Sequence, residues 1–482
     1  MYTCKMKHEQ ILNNRLIISI ERKALLLLLS FLFWSNVFSQ NSQILEAGFY
    51  EASDSIIIKA YKDSQFISSS FCYNYNTSYI CLRTSPNQII SKIINNCHVN
   101  DFVISNDTLF FCGYDTNGHG VIGFFDINDY FYNAYSGYHY QDFFMLPDGY
   151  YAANLYKLVT YTDHHNTRHV FAIGYTGHPI YQFDYFGCVV DLLDANDGYA
   201  YYHAAYVFKS PISLFEDISI VGDYLVTTGF DYSGLLNARI FKKNNPFAIA
   251  GIQNNLAEIK GIPSLGTHVW NTDESHVSSS SDGYFSLSSI SRTKIGNTGT
   301  PWKINFLRVS LSSVISQLPN AINISSQMSC SGFINPNNIH EFLYNAPKNC
   351  YSILFQHELG THIRNIFVEI KPTLDEQITA YRDVIFDAMN AFTRLNSFDI
   401  YNSGNYVFFA NKENDDWYKT YHFETSGQQS LCLSEVECTF SEMPTIINYK
   451  KSIVEYLRDS TNIQYYQPFE HRPYSLTVKC SH

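Results

Sequence analysis

The sequence predicts an all-β protein, a β-propeller of seven blades. Three observations predict it. The first is composition: 16% of the 482 residues are aromatic, with 38 Tyr and 36 Phe, and only 16% are charged. Such a chain is too apolar for disorder, and its aromatic residues favour strands. The second is a gapless internal repeat. The third is that no Pro- or Gly/Ser-rich linker divides the chain into separate domains; the run Ser278 to Ser281 reads as a loop. Eight blades, or stacked β-sandwich domains, are the alternatives.

The repeat is the strongest signal. Residues 101–118 (DFVISNDTLFFCGYDTNG) align with residues 217–234 (DISIVGDYLVTTGFDYSG). Asp101, Ile104, Asp107, Leu109, Gly113, Asp115 and Gly118 match Asp217, Ile220, Asp223, Leu225, Gly229, Asp231 and Gly234. Within the first copy, Phe102–Ile104, Leu109–Cys112 and Val121–Phe125 read as strands. Asn106-Asp107 and the Gly113–Gly120 segment read as turns, since Asn, Asp and Gly tolerate turn geometry. A weaker copy at 169–184 places Gly174 between Gly113 and Gly229, giving a period of about 55–60 residues. Residues 55–82, 284–310, 350–370 and 398–411 carry further strand-like runs. Blades with two apolar faces must stack and close on one another.

The elements follow in chain order. Residues 1–39 read as a secretory signal peptide: five Lys or Arg precede an apolar run of eleven residues, Ala24 to Trp34, and Val37-Phe38-Ser39 precede Gln40. The run is about half of what a membrane span needs, and no second stretch of spanning length follows. The propeller is assigned to residues 40–440. Residues 373–393 fit either a helix capped by Thr373 or two strands around Tyr381-Arg382-Asp383, and the repeat register favours strands. The tail, 441–482, closes or packs on the propeller, with 449–458 (YKKSIVEYLR) patterned as a helix.

The net charge is −12; removing 1–39, with five basic and two acidic residues, leaves −15. An acidic surface without basic runs excludes nucleic acid as a partner. Ten of the eleven cysteines follow the signal segment, and an even number in an exported chain suggests disulfides. Spacing pairs Cys72 with Cys81, Cys97 with Cys112, Cys330 with Cys350 and Cys432 with Cys438, leaving Cys188 and Cys480. There is no Cys-x-x-Cys.

Candidate sites are sparse. Asp163, His165 and His169 could converge on a metal if the segment is a strand, although a polar hairpin loop explains them as well. His357-Glu358 with His362 has the wrong spacing for a zinc-protease helix. Acidic turns at Asp115–Gly118, Asp194–Gly198 and Asp231–Gly234 lack a full calcium-loop pattern. Tyr135, Tyr138, Tyr201 and Tyr202 lie in aromatic runs that could stack on a sugar or peptide or simply pack between blades. No nucleophile elbow, P-loop or dinucleotide fingerprint occurs, and no cofactor is expected.

The repeat unit at Asp101–Gly118 and its copy at Asp217–Gly234 resemble the blades of uncharacterised propeller-like proteins exported by Bacteroidetes. The signal ending Phe38-Ser39-Gln40 is similar to signals of that group. Asp54-Ser55-Ile56 and Asp107-Thr108-Leu109 resemble its short O-glycosylation pattern. The resemblance implies a fold and a secreted, periplasmic or cell-surface location. It implies no activity. The expected function is a non-catalytic scaffold binding a glycan, peptide or envelope protein; the alternative is a hydrolase or lyase acting on polysaccharide or peptide at a propeller face. A cluster of carboxylates with Arg or His in one central pocket would favour the enzyme.

Overall fold

The computed structural model describes the strands between Gln43 and Ser481 and part of the turns joining them. Residues 1–42, 49–55 and many connecting segments, the longest being 243–254, lie outside the described residues, and the signal-peptide assignment falls among them. The chain is an all-β propeller. Among the described residues the strands form seven antiparallel sheets, here I to VII. The first strands of the seven are Ile56–Ala60, Cys97–Ser105, Tyr151–Thr162, Ser213–Val221, Val269–Ser279, Pro336–Asn345 and Thr393–Ile400. Each first strand touches the next, and the seventh touches the first, so they close a ring around a central axis.

The repeat falls on the first two strands of sheets II and IV, and its chemistry is visible there. In sheet II, Asn106 and Asp107 both adopt positive φ (49° and 61°), as a two-residue hairpin with the right twist requires. The first strands carry a register shift one residue ahead of a recurrent polar position: between Val99 and Asp101, Leu155 and Lys157, Phe215 and Asp217, Thr272 and Glu274, Ile339 and Glu341, and Leu395 and Ser397. A bulge re-aims the side chains that follow it. In sheets II, III and IV the residue before the bulge faces a glycine: Val99 faces Gly113, Leu155 faces Gly174 and Phe215 faces Gly229. A Cβ on Gly113 would lie 1.7 Å from the His98 carbonyl oxygen, and one on Gly174 would lie 1.9 Å from that of Asn154. The repeated glycine is therefore the clearance for the bulge.

Apolar cores fill the spaces between neighbouring sheets. Sheets I and II share Ile67, Ile80, Phe102, Phe111 and Phe125; sheets IV and V share Val226, Ala238, Leu287 and Leu307; sheets V and VI share Phe306, Phe342 and Tyr351.

The last fifty residues differ from the expectation. The segment expected to be helical, 449–458, is split between two strands, Thr445–Lys451 and Ile453–Asp459. The first adds to the outer edge of sheet IV and the second to that of sheet III. Pairing with an unfilled edge outweighs a weak helical pattern. The same device recurs along the tail. Leu433–Glu435 lies on sheet VI, Cys438–Glu442 on V, Gln464–Tyr466 on II, and Leu476–Ser481 on VII. After building the sheets in one direction, the chain runs back round the rim as a strap. On sheet VII the strap pairs with Gln43–Gly48, which itself pairs with Trp417–Thr425, so the first and last of the described strands share one sheet.

Sheet I has four strands. Its outer strand, Gln88–Asn95, meets helix α1 (Ile127–Tyr132), which is capped by Asp126. The Tyr130 hydroxyl donates to the Ile93 carbonyl at 3.0 Å, and the Asn95 amide donates to the Tyr138 hydroxyl at 3.1 Å. Lys92 donates to the Asn133 carbonyl. The hydroxyls of Tyr130, on α1, and Tyr138, on sheet II, thus take edge bonds that a strand takes elsewhere.

Three of the proposed cysteine pairs, Cys72 with Cys81, Cys97 with Cys112 and Cys330 with Cys350, are corrected. Cys81, Cys97, Cys112 and Cys350 are free and buried. Hairpin register explains it: Cys97 faces Asp115 and Cys112 faces Asp101, Cys72 faces Thr77 and Cys81 faces Ser68, and Cys350 faces Asn345. Cys188 and Cys480 lie on different sheets. Cys432 is outside the described residues.

Candidate functional site at the propeller axis

Every first strand brings a charged or polar residue toward the axis, at or after the bulge in sheets II to VII and without one in sheet I: Lys59, Asp101, Lys157, Glu216 with Asp217, Glu274 with His276, Glu341, and Ser397 with Asp399. Lys157 of sheet III reaches Glu341 of sheet VI at 3.1 Å, crossing the ring. Lys59 of sheet I contacts Glu341 at 3.9 Å and Asp101 of sheet II at 3.6 Å. Asp217 and His276 pair at 3.6 Å. The side chains of Lys59 and Lys157 remain 17% and 19% exposed, those of Asp101 and Glu341 only 4% and 8%.

The acids have a second, repeated task. All of them but Glu341 accept a hydrogen bond from a backbone amide on the following first strand. Asp101 accepts from Leu158 N (3.1 Å), Glu216 from Ser275 N (2.7 Å), Asp217 from Val277 N (2.9 Å), Glu274 from Ile339 N, and Asp399 from Ala60 N (2.8 Å). Ser397 accepts from Ile58 N. A first strand is an edge strand whose outward amides need acceptors. The neighbouring sheet's carboxylate supplies them, and an ionised acceptor makes the stronger bond.

Electrostatics divide the cluster. Burial alone would push Glu341 up, but Lys157 and Lys59 outweigh it and hold its carboxyl below the usual range. Burial disfavours the charge on both lysines, yet Asp101 and Glu341 raise Lys59, and Glu341 and Asp101 raise Lys157. These three groups are locked as ions. Glu216 behaves oppositely: burial pushes it up to about 8, against the opposing charge of His276. Burial also raises Asp399. His276 is raised because, against burial, its hydrogen bond and charge interaction with Asp217 and the charge of Glu274 prevail.

The residues singled out from sequence lie elsewhere. Asp163 and His169 do meet, at 3.5 Å, across a turn. Asp163 also accepts from Thr167 N, which ties down that turn, and His165 is outside the described residues. Among the described residues, no group of three His, Cys, Asp or Glu is placed to hold a metal ion. Asp115 accepts from the amides of Asn117 and His119, closing its own turn. His357 and His362 sit on paired strands. Tyr138 is buried in the sheet I–II core. Tyr135 and the side chains of Tyr201 and Tyr202 are outside the described residues. Of the axial residues, only Asp101 and Asp217 stood out in sequence, as the first letters of the repeat. Of the rest, all but Lys59 sit at or after bulges that no residue pattern announces.

No protein-family model matches the chain, and no curated protein matches it significantly. Solved structures it resembles include the polysaccharide lyase Uly1, with 9% identity and a TM-score of 0.42 over 78% of this chain and 92% of that one. A mutant NanB sialidase from Streptococcus pneumoniae has 10% identity and a TM-score of 0.28, over 83% of this chain and 57% of that one. An engineered GH43 glycoside hydrolase has 8% identity and a TM-score of 0.23, over 86% and 98%. These neighbours are glycan-active enzymes, and at such scores none of them lends this chain a substrate or a mechanism. Among the described residues, no helix is long and apolar enough to cross a membrane.

Proposed function

We propose that the chain is an exported, non-catalytic binding scaffold: a propeller of seven blades, one per sheet, released from a signal peptide at residues 1–39. Its partner would be a glycan, a peptide or an envelope protein, held by loops at a propeller face. The observation that carries this reading is the use made of the axial acids. Asp101, Glu216, Asp217, Glu274 and Asp399 are engaged with the amides of the next sheet, and Glu341 with two lysines. A general acid or base must reach a substrate proton, and these groups are turned to the protein. The test is a thermal-shift screen of residues 40–482 against glycans, peptidoglycan fragments and peptides, paired with assays for cleavage of whatever binds. A ligand of the folded state raises the melting temperature. Binding without turnover supports the scaffold; turnover overturns it.

One observation favours an enzyme acting on polysaccharide. A carboxyl pushed up to about 8 is protonated at neutral pH, as a general acid needs to be, and Glu216 lies near Glu274 and His276. On this reading, Glu216→Gln abolishes turnover while leaving ligand-induced stabilisation intact.

A further inference from the structure

We propose that the strap is fastened by a disulfide between Cys330 and Cys438. Cys330 ends the strand Ile322–Cys330, the fourth of sheet V, and Cys438 begins the strap strand Cys438–Glu442. The two are direct Cα partners in the antiparallel register. Directly opposed residues of an antiparallel pair have Cα atoms about 4.5 or 5.5 Å apart, and both values fall within the range a disulfide spans. Among the described residues, none of the pairs weighed from sequence has this relation.

The other cysteines supply the contrast. Cys81, Cys97, Cys112 and Cys350 are free and buried in the sheets. Burial pushes the thiols of Cys97, Cys112 and Cys350 up, and a thiol kept from ionising does not exchange. Cys438 is not among the free thiols. It is half-buried at the rim, against the core shared by sheets V and VI.

The bond would close a loop containing all of sheet VI and the strands of sheet VII between Thr393 and Thr425, and would hold the strap where its strands are short: three residues on sheet VI and five on sheet V. Such a crosslink restricts the unfolded chain. Its formation removes two protons and two electrons from the thiols. The electrons reduce the disulfide of a thiol–disulfide oxidoreductase in the exporting compartment to its dithiol. In that respect the inference rests on the exported reading.

The test separates the two. Full-length protein made in a reducing cytosol is oxidised with glutathione disulfide, digested without reductant and mapped by mass spectrometry. The expected product is a peptide pair linked through Cys330 and Cys438, with Cys81, Cys97, Cys112 and Cys350 still free. Oxidation should raise the melting temperature by several degrees, and dithiothreitol should reverse the rise. Cys438→Ser and Cys330→Ser should each fold, melt like the reduced protein and ignore the reductant. A Cys432–Cys438 link, or two free thiols after oxidation, overturns the proposal whether or not the protein is exported. Export is read independently, from cleavage near Ser39 and location in the native host.

Discussion

The inner and outer ends of the sheets are joined by different means. At the axis, side chains bridge one sheet to the next: a carboxylate set by a bulge takes an amide of the following strand. At the rim, main chain does it: one continuous segment adds a strand to sheet after sheet. Both solve the same problem, an edge with unpaired amides and carbonyls. The axial solution is local and repeats with the blade, so it leaves a trace in the sequence. The rim solution is made once, by residues far away in the chain, and leaves none.

The comparison breaks most readily at the rim. Ending the chain after Glu442 removes the outer strands of sheets IV, III and II and the strap strand of sheet VII. It leaves four edges exposed, and the N-terminal strand Gln43–Gly48 loses one of its two partners. We expect a fall in melting temperature of about ten degrees or more, or loss of soluble protein. A truncated form that melts like the full chain would reduce the strap to decoration.

Next in size is the ion-pair bridge across the axis. Lys157→Ala leaves Glu341 buried with Lys59 and the charge of His276 for company, and breaking such a pair costs about 3–5 kcal/mol. The double variant Lys157→Met, Glu341→Leu removes both charges and should recover much of the loss, because a well-packed apolar pair carries no desolvation penalty. Chemical denaturation measures both. If the double variant is no better than the single one, the charges hold the ring by more than mutual compensation.

How much of this was legible follows the same division. The all-β class was written in the aromatic and β-branched runs, and the meander of sheet II in Asn106-Asp107 and the strands that flank it. Gly113, Gly174 and Gly229 marked the repeat before the bulges explained them. The axial site was legible only through Asp101 and Asp217. Lys59, Lys157 and Glu341 occupy the corresponding strands, but they differ in type, and their meeting depends on ring closure. The strap was not legible, because Tyr449–Arg458 has a helical pattern and its strand identity comes from the edges it meets. The pairs Cys72–Cys81 and Cys97–Cys112 failed for a register reason: nearness in sequence does not put two residues of a hairpin opposite each other.

A smaller effect, spread over pH, tests the axial acids. In the unfolded chain Glu216 titrates near 4.5, and in the folded protein at about 8. Between these values the folded state holds the extra proton, so stability falls as pH rises from about 4.5 to about 8. Across that window the loss is at most about 1.4 kcal/mol per pH unit. His276 leans the same way: its pKa is raised, so its contribution is full below its unfolded value and lost as pH rises through the folded one. Glu216→Gln keeps an acceptor for Ser275 and removes the larger slope. Melting temperatures between about pH 5 and 8 should fall less steeply for the variant. Parallel curves would mean that Glu216 is ionised throughout.

The smallest expected effect sharpens the inner half of the comparison, because it asks whether the repeat's glycine serves the bulge or the turn. Gly113 has no need of unusual backbone angles, but a Cβ there would meet the His98 carbonyl oxygen at 1.7 Å. Gly118 is the reverse: its φ is +82°, and nothing lies within 4 Å of an added Cβ. Gly118→Ala should cost about 1 kcal/mol, the strain of a left-handed alanine. Gly113→Ala must move the first strand of sheet II, and with it Asp101 and its bond to Leu158, at about 2–3 kcal/mol. Denaturant melts of the two variants compare them directly. Gly113→Ala should also speed hydrogen exchange at the Leu158 amide, on the neighbouring sheet, while Gly118→Ala should not. Equal costs, with Leu158 undisturbed in both, would uncouple the glycine from the axial joint and leave the bulge to be held by the carboxylate alone.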